Sequence, residues 1–317
     1  MIKLIPDNVN INFVGHKNKI FIVSLSIILG SLFLFFSKSL NYGLDFKGGY
    51  VVEAQFPTPP DLSLLREKLA KAYPGEISLQ KYGTKGKDLK IKLERIEETE
   101  NSAAMGDEAE HVVVINKIKA VLGEGVTYRK VETIGPNIGK ELVNNAIKAV
   151  IFSLLAIAIY IALRFEWQFA LCGLIALAQD CIGLVGAYAL LWLEFNGTAI
   201  VAILTTASYS INDSIVIFDR IRENLKRYRK MPMLELINKS INETLSRTVL
   251  TAGTTLLAVF ALCLFGGEVI ASFSIPIFIG IALGTFSSIA LSAPLLLFFK
   301  IDREKMANKG KVELTQV

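Results

Sequence analysis

Asp213 lies inside an otherwise apolar, membrane-length segment, 198–218. A carboxylate in hydrocarbon costs at least about 2.5–3.5 kcal/mol on insertion scales, so intramembrane acids mark ion or proton pathways unless they tie helices together. Tyr209, Ser210, Asn212 and Ser214 add hydroxyls and an amide able to receive or pass a proton, with Ser210 and Asn212 the expected supporting partners. Arg247, where the next apolar segment begins, offers a cation. Two readings of each stand. Asp213 is a reversibly protonated carrier, or a permanently protonated acid bonded to a neighbouring helix. Arg247 is its counter-charge, or an arginine snorkelling to lipid headgroups. Low dielectric disfavours an ionised carboxylate and a nearby cation favours it, so the two influences oppose each other. Helical spacing from Arg247 puts Thr251, Thr254 and Thr255 on a nearby face, as a polar track or as small packing residues. A second intramembrane acid, Asp180, sits in Ala178-Gln179-Asp180-Cys181-Ile182, open between the pathway and a helix contact.

The elements that must position these groups are membrane helices. The chain has 317 residues, is 52% hydrophobic and has a mean hydropathy of +0.47. Six segments approach the length needed to cross about 30 Å of hydrocarbon. They fall at roughly 20–36, 146–163, 169–193, 198–218, 250–265 and 275–299. The first begins about twenty residues in and has no small-x-small site after Phe36, so it reads as a retained span, not a cleaved signal.

Charge sets the expected orientation. Lys3, Lys17 and Lys19 precede the first span, a basic loop at 219–249 joins the fourth and fifth, and Lys300, Arg303, Lys305, Lys309 and Lys311 follow the sixth. The loops at 194–197 and 266–274 carry only Glu194 and Glu268. The positive-inside rule therefore places residues 1–19, the 219–249 loop and the tail 300–317 in the cytosol, and exports 37–144. Within that loop Leu234, Ile237, Ile241 and Leu245 recur at helical spacing, as in a helix resting on the membrane surface.

Residues 37–144 read as an α+β domain, with sixteen basic residues balancing sixteen acidic ones. Strands are expected at 50–56, 76–82, 88–94 and 126–134, with a helix capped by Asp61 and another at about 108–122. The stretch 97–102 is polar. The order βαββαβ is the ferredoxin-like, split-βαβ arrangement. Asp45 with Gly48-Gly49 forms the expected turn into the domain, and Gly135-Pro136 a rigid hinge at its return.

Several classes are excluded. The net charge of +5 follows from topology, and nucleic-acid binding is a poor reading of it. Cys172, Cys181 and Cys263 all fall in spans, and His16 and His111 lack cysteine partners at ligand spacing, so neither a disulfide framework nor a metal site is expected. With no phosphate loop and no nucleophile–base set, the chain reads as a non-enzyme without a cofactor.

Four motifs occur in order along the chain. They are Tyr42-Gly43-Leu44-Asp45-Phe46-Lys47-Gly48-Gly49, Gly135-Pro136-Asn137-Ile138-Gly139-Lys140-Glu141-Leu142, the run from Ser210 to Asn224, and Ser240 to Thr248. Together they closely resemble the SecF family, the smaller-subunit branch of the SecD/SecF protein-export proteins, from about residue 10 to 300. The resemblance implies a resistance-nodulation-division type membrane fold. It also implies a bacterial inner-membrane protein that partners SecD and uses the proton-motive force to help polypeptides finish crossing SecYEG. Asp213 and Arg247 match the family's proposed proton path. At Gln179-Asp180 the chain departs from the family's common His-Asp, which weakens a proton role for Asp180. The cycle expected on this reading passes a shift of the fourth and fifth helices through the second span and Gly135-Pro136 to the exported domain. The rival readings are a small-molecule or lipid exporter subunit of the same fold and a passive scaffold for Sec components.

Overall fold

The computed structural model describes residues 10–73, 75, 77–82, 86–94, 107–123, 125–299 and 301. Residues 1–9, the 97–102 stretch and the tail after Ile301 lie outside the described residues. The long helices are α1 (Lys17–Lys38), α5 (Pro136–Arg164), α6 (Trp167–Leu191), α7 (Gly197–Arg227), α8 (Met233–Phe265) and α9 (Gly267–Ser287). After Ser287 the last helix continues through a π turn, Ser288–Ser292, to end near Phe298. Among the described residues, six helical segments, including this continued last one, are long and apolar enough to cross a membrane. In α6 and α7, 61% and 50% of the most apolar stretch is buried, against 11%, 6% and 11% in α1, α5 and α8. The bundle is therefore built around α6 and α7, and its rim faces outward with apolar side chains such as Leu163, Leu257 and Phe265.

The 219–249 loop is corrected. α7 runs on to Arg227 and α8 begins at Met233, so only 228–232 connects them. The amphipathic stripe does not lie on a membrane surface either. Ile237, Ile241 and Leu245 of the stripe, joined by Leu236, are buried in one cluster with Ile217, Ile221 and Leu225 of α7 and with Val14, whereas Leu234 stays 40% exposed. Apolar residues at helical spacing on both helices make a zipper between the two helix extensions, and burying them against each other removes apolar area from water. Phe165, Phe169 and Phe218 stack at the same end, with Phe169 and Phe218 ring centroids 5.4 Å apart at near right angles.

Between α1 and α5 come β1 (Asn41–Tyr42), the single turn α2 (Leu44–Lys47), β2 (Gly49–Gln55), α3 (Leu62–Ala72), β3 (Ile77–Tyr82), β4 (Asp88–Glu94), α4 (Asp107–Leu122) and β5 (Thr127–Ile134). The four-stranded sheet has the order β3-β4-β2-β5, antiparallel throughout. This is the split-βαβ order expected from the sequence. α3 and α4 cover one face, where Leu65, Leu69, Ile118 and Leu122 meet Val52, Ala54, Leu89, Ile91 and Leu93.

Asp61 caps α3. Its side chain accepts from the Ser63 N–H at 2.9 Å and also from the Ser63 hydroxyl. The hydroxyl bond foremost, then the N–H groups of Ser63 and Leu64, hold its carboxyl below the usual range. The depressed group contributes stability above its unfolded value, and loses it as pH falls through the folded one. In Asp61→Asn, thermal melts from neutral to acid pH are expected to show a shallower acid limb than wild type.

Among the contacts that seat this domain on the bundle, two run through the α6–α7 connection. β1 pairs in parallel with β6 (Glu194–Phe195), the short strand joining α6 to α7. From β4, Lys92 Nζ reaches both Glu194 carboxylate oxygens, at 2.6 and 2.7 Å. The pair is partly exposed, so it contributes about 1 kcal/mol or less and weakens with salt. Lys92→Glu or Glu194→Lys alone is expected to speed hydrogen exchange at β6, and the double exchange to restore it. Additive single effects would show that the pair does not seat the domain.

Candidate functional site

Asp213 lies midway along α7, 3% exposed, with Oδ2 buried and lacking a hydrogen-bond partner. α7 holds it there because Ala202, Thr206, Ser210, Ser214 and Ile217 make one buried face, while Asn212 points outward. Asn212 is thus not a partner of Asp213, since one residue along a helix turns the side chain by about 100°. The cation acting on Asp213 is Arg247 of α8. The two make no ion pair within 4.0 Å, so their attraction acts across a gap. Beside Arg247, Thr248 is 1% exposed with its hydroxyl unbonded. The more exposed threonines are self-satisfied: Thr251 Oγ1 donates to the Arg247 and Thr248 carbonyls at 3.0 Å, and Thr254 and Thr255 likewise bond their own helix.

Ser210 serves the other acid. Its Oγ donates to Asp180 Oδ2 at 2.5 Å, and Ser287 Oγ of α9 donates to the same oxygen at 2.7 Å. Ser214 Oγ reaches the Ser288 and Ser292 hydroxyls at 3.1 and 3.3 Å, and Ser288 Oγ donates to the Ser210 carbonyl. Asp180 therefore joins α6, α7 and α9, and the two acids occupy separate sites one helical turn apart along α7. The serines of α9 were missed in the sequence. Their signal was Gly280 and Gly284 four apart, followed by Ser287, Ser288 and Ser292 in an otherwise apolar span. A Cβ on Gly284 would stand 2.9 Å from Ser210 Cβ, and one on Gly280 would collide with Thr206, so these glycines set the α7–α9 approach.

The Gly-Gly motif sits at the domain end of the bundle. Gly48, at φ 81°, closes α2 by donating its N–H to the Leu44 carbonyl at 2.8 Å. Gly49, at φ 154°, starts β2 where a Cβ would collide with the Leu93 carbonyl. Asp45 does more than shape this turn: its Oδ2 accepts from Gly197 N at 3.1 Å, the first residue of α7. A carboxylate there suits the positive end of the helix. Gly135 precedes Pro136, which takes the first position of α5 where its missing N–H costs nothing. One turn on, a Cβ at Gly139 would stand 2.8 Å from the Phe46 carbonyl, so α5 also packs closely on the motif.

Among the described residues no three His, Cys, Asp or Glu side chains assemble as a metal site, and the three cysteines are free.

The described protein-export membrane protein SecD/SecF C-terminal family matches residues 113–302, and the SecD/SecF GG motif matches residues 33–59. This chain belongs to the SecD/SecF family. The protein translocase subunit SecF of Rickettsia conorii (strain Malish 7) is 43% identical over 304 residues, covering 94% of each chain. That of Rickettsia prowazekii (strain Madrid E) is 41% identical over 312 residues, covering 98% of each. The crystal structure of SecDF, a translocon-associated membrane protein from Thermus thermophilus, matches with a TM-score of 0.77 at 35% identity. It covers 93% of this chain and 39% of that one, so this SecD/SecF chain spans about two-fifths of the SecDF polypeptide. SecDF in a super-membrane-facing form matches at a TM-score of 0.66. The family is one of translocation subunits, not of catalysts.

Proposed function

We propose that this chain is the smaller six-helix half of a proton-driven export motor. SecD supplies the other half, and the pair helps polypeptides complete their passage through SecYEG. The carrying observation is Asp213: a carboxylate buried in the membrane-spanning interior, one oxygen unpartnered, with Arg247 acting on it from the next helix without touching it. A proton arriving at Asp213 cancels that attraction, and α7 and α8 are free to change their packing.

The route from there follows α7. Its middle carries Asp213, and its first residue is bonded to Asp45 of the Gly-Gly motif. β6, immediately before it, carries β1 and the Lys92 contact. A shift of α7 therefore reaches the domain directly, with α5 and Gly135-Pro136 as a second connection through Gly139. The domain then holds or releases the emerging chain. The basic helix ends Arg164, Arg220, Arg222 and Arg227 face the cytosol in this reading, with both termini, and the protein resides in the bacterial inner membrane. The apolar rim of α1, α5 and α8 supplies the faces for lipid and for SecD.

The test is precursor translocation into inverted membrane vesicles, with and without a proton gradient, comparing wild type with Asp213→Asn at equal insertion and equal SecD co-purification. Loss of the gradient-dependent increment alone supports the motor. Unchanged export supports a passive scaffold instead.

A further inference from the structure

Ahead of α1 the chain lays a short strap over the polar end of α8. Asn242 of α8 holds the main chain of Ile11 at two points. Its Oδ1 accepts the Ile11 N–H at 2.8 Å, and its Nδ2 donates to the Ile11 carbonyl at 2.9 Å. One turn earlier on α8, Asn238 Oδ1 accepts the Val14 N–H at 3.3 Å. A side-chain amide offers both a donor and an acceptor, so it can pair with a backbone as another backbone would. The Ile11 side chain is 49% exposed, so the backbone is what is held there. Val14 is fully buried in the α7–α8 cluster, with Phe13 packed against it.

The strap is joined to α1 without a linker. Asn12 Oδ1 accepts the Gly15 N–H at 2.8 Å, and His16 Nδ1 donates to the Asn12 carbonyl at 2.8 Å. A single 3₁₀ turn, Val14–His16, then runs directly into α1. α1 has 22 residues and is about 33 Å long. At its other end only Ser39 and Leu40 precede β1, and Leu40 is buried with Tyr188 of α6 and Ala199 and Ile203 of α7. Gly43, next after β1, donates its N–H to the Phe195 carbonyl of β6 at 2.9 Å. The main packing partners of α1 are α6 and the π turn of the last helix, whereas α8 packs on α7 and α9. The strap therefore ties together two helices whose main neighbours differ.

We propose that Asn242 is a positioning residue that makes α1 follow α8, so that a shift of α8 reaches the Gly-Gly motif along α1. The proposal rests on the motor reading given above. Arg247 lies five residues beyond Asn242 on the same unbroken helix, little more than one turn away. The stretch of α8 that carries the counter-charge is thus the stretch that carries the strap. α1 ends in β1, and α7 begins directly after β6, so the two helices meet in the β1–β6 ladder. At their opposite ends both are fastened to α8, α7 by the apolar zipper and α1 by the strap. With both fastenings in place, one movement of α8 is delivered to both strands of the ladder on which the domain sits. Without the strap, only the β6 side is driven.

The test uses the full chain with SecD in inverted membrane vesicles, and reads the gradient-dependent increment of export for wild type, Asn242→Ala and Asp213→Asn. Alanine keeps α8 helical and removes both Ile11 bonds. Hydrogen exchange over residues 10–16 is expected to quicken by about tenfold in Asn242→Ala. Its increment is expected to fall severalfold, with gradient-independent export and SecD co-purification unchanged. Ile11→Cys combined with Asn242→Cys, joined by a short bismaleimide, is expected to recover the increment, and Asn242→Cys alone given the same reagent is not. Recovery by a tether that restores no hydrogen bond separates coupling from packing. If Asp213→Asn loses the increment and Asn242→Ala keeps it, the strap proposal fails and the motor reading stands. A loss in Asn242→Ala that the tether does not recover also overturns the proposal and leaves Asn242 a structural tie. Should Asp213→Asn keep the increment, the motor reading falls and this proposal falls with it.

Discussion

Asp213→Asn is expected to abolish the gradient-dependent part of polypeptide export while leaving the gradient-independent part unchanged. Asparagine has the shape of aspartate and cannot carry a proton, so the α7 face formed by Ser210, Ser214 and Ile217 keeps its packing. What is lost is the alternation between a charged and a neutral partner for Arg247. One proton moving down about 150 mV supplies roughly 3.5 kcal/mol, enough to shift a two-state equilibrium by up to a few hundredfold. A single non-titrating side chain therefore removes an effect much larger than its packing cost. Asp213→Glu retains a titratable acid and is expected to keep part of the increment. Arg247→Leu leaves the carboxylate without its counter-charge, and is expected to lose the increment as Asp213→Asn does. If Asp213→Asn vesicles respond to the gradient as wild type does, the coupling reading fails at its centre.

The sequence made the domain sheet and the six spans legible because each is written in local periodicity. β4 alternates Leu89, Ile91 and Leu93 toward the core, and the spans are long apolar runs bounded by charge. Helix ends were harder to read. Polar residues at 219–249 look like a loop, yet they continue two helices, because Ile237, Ile241 and Leu245 of the stripe find their partners on α7 and not in the adjacent sequence. The site was legible in its acids and not in their company. Ser210 is three residues from Asp213 and was assigned to it, but α9 brings Ser287 to the opposite face and both serines turn to Asp180. Which acid a hydroxyl serves depends on helix packing set by Gly280 and Gly284, a contact between segments some seventy residues apart. Asp45 shows the same limit: its neighbours in sequence indicate a turn, and its bond to Gly197 comes from the chain's return across the bundle.

Gly49→Ala is expected to destabilise the domain by about 3 kcal/mol or more, far beyond an ordinary glycine substitution. Two costs combine. At φ 154° an L-residue is strained, and the added methyl would stand inside contact distance of the Leu93 carbonyl in β4. That carbonyl belongs to the central β2–β4 pairing, where Gly49 lies opposite Glu94 and Tyr50 opposite Leu93, so it cannot move aside without breaking the ladder. Gly123 provides the control: its φ of 85° is also positive, but nothing lies within 4 Å of a Cβ there. Gly123→Ala should cost only the backbone term, about 1–2 kcal/mol. At roughly 4–8 °C per kcal/mol for a domain of this size, Gly49→Ala should lower the domain's Tm by ten degrees or more, about twice the shift of Gly123→Ala. The two variants should also differ in where they loosen the protein. Because Gly49 follows the turn that holds Asp45 against α7, hydrogen exchange should quicken at the start of β2 and at the α7 N-terminus in Gly49→Ala, and only locally in Gly123→Ala. Equal melting shifts in the two would mean that Leu93 yields, and that the second glycine of the motif is required for its backbone angle alone.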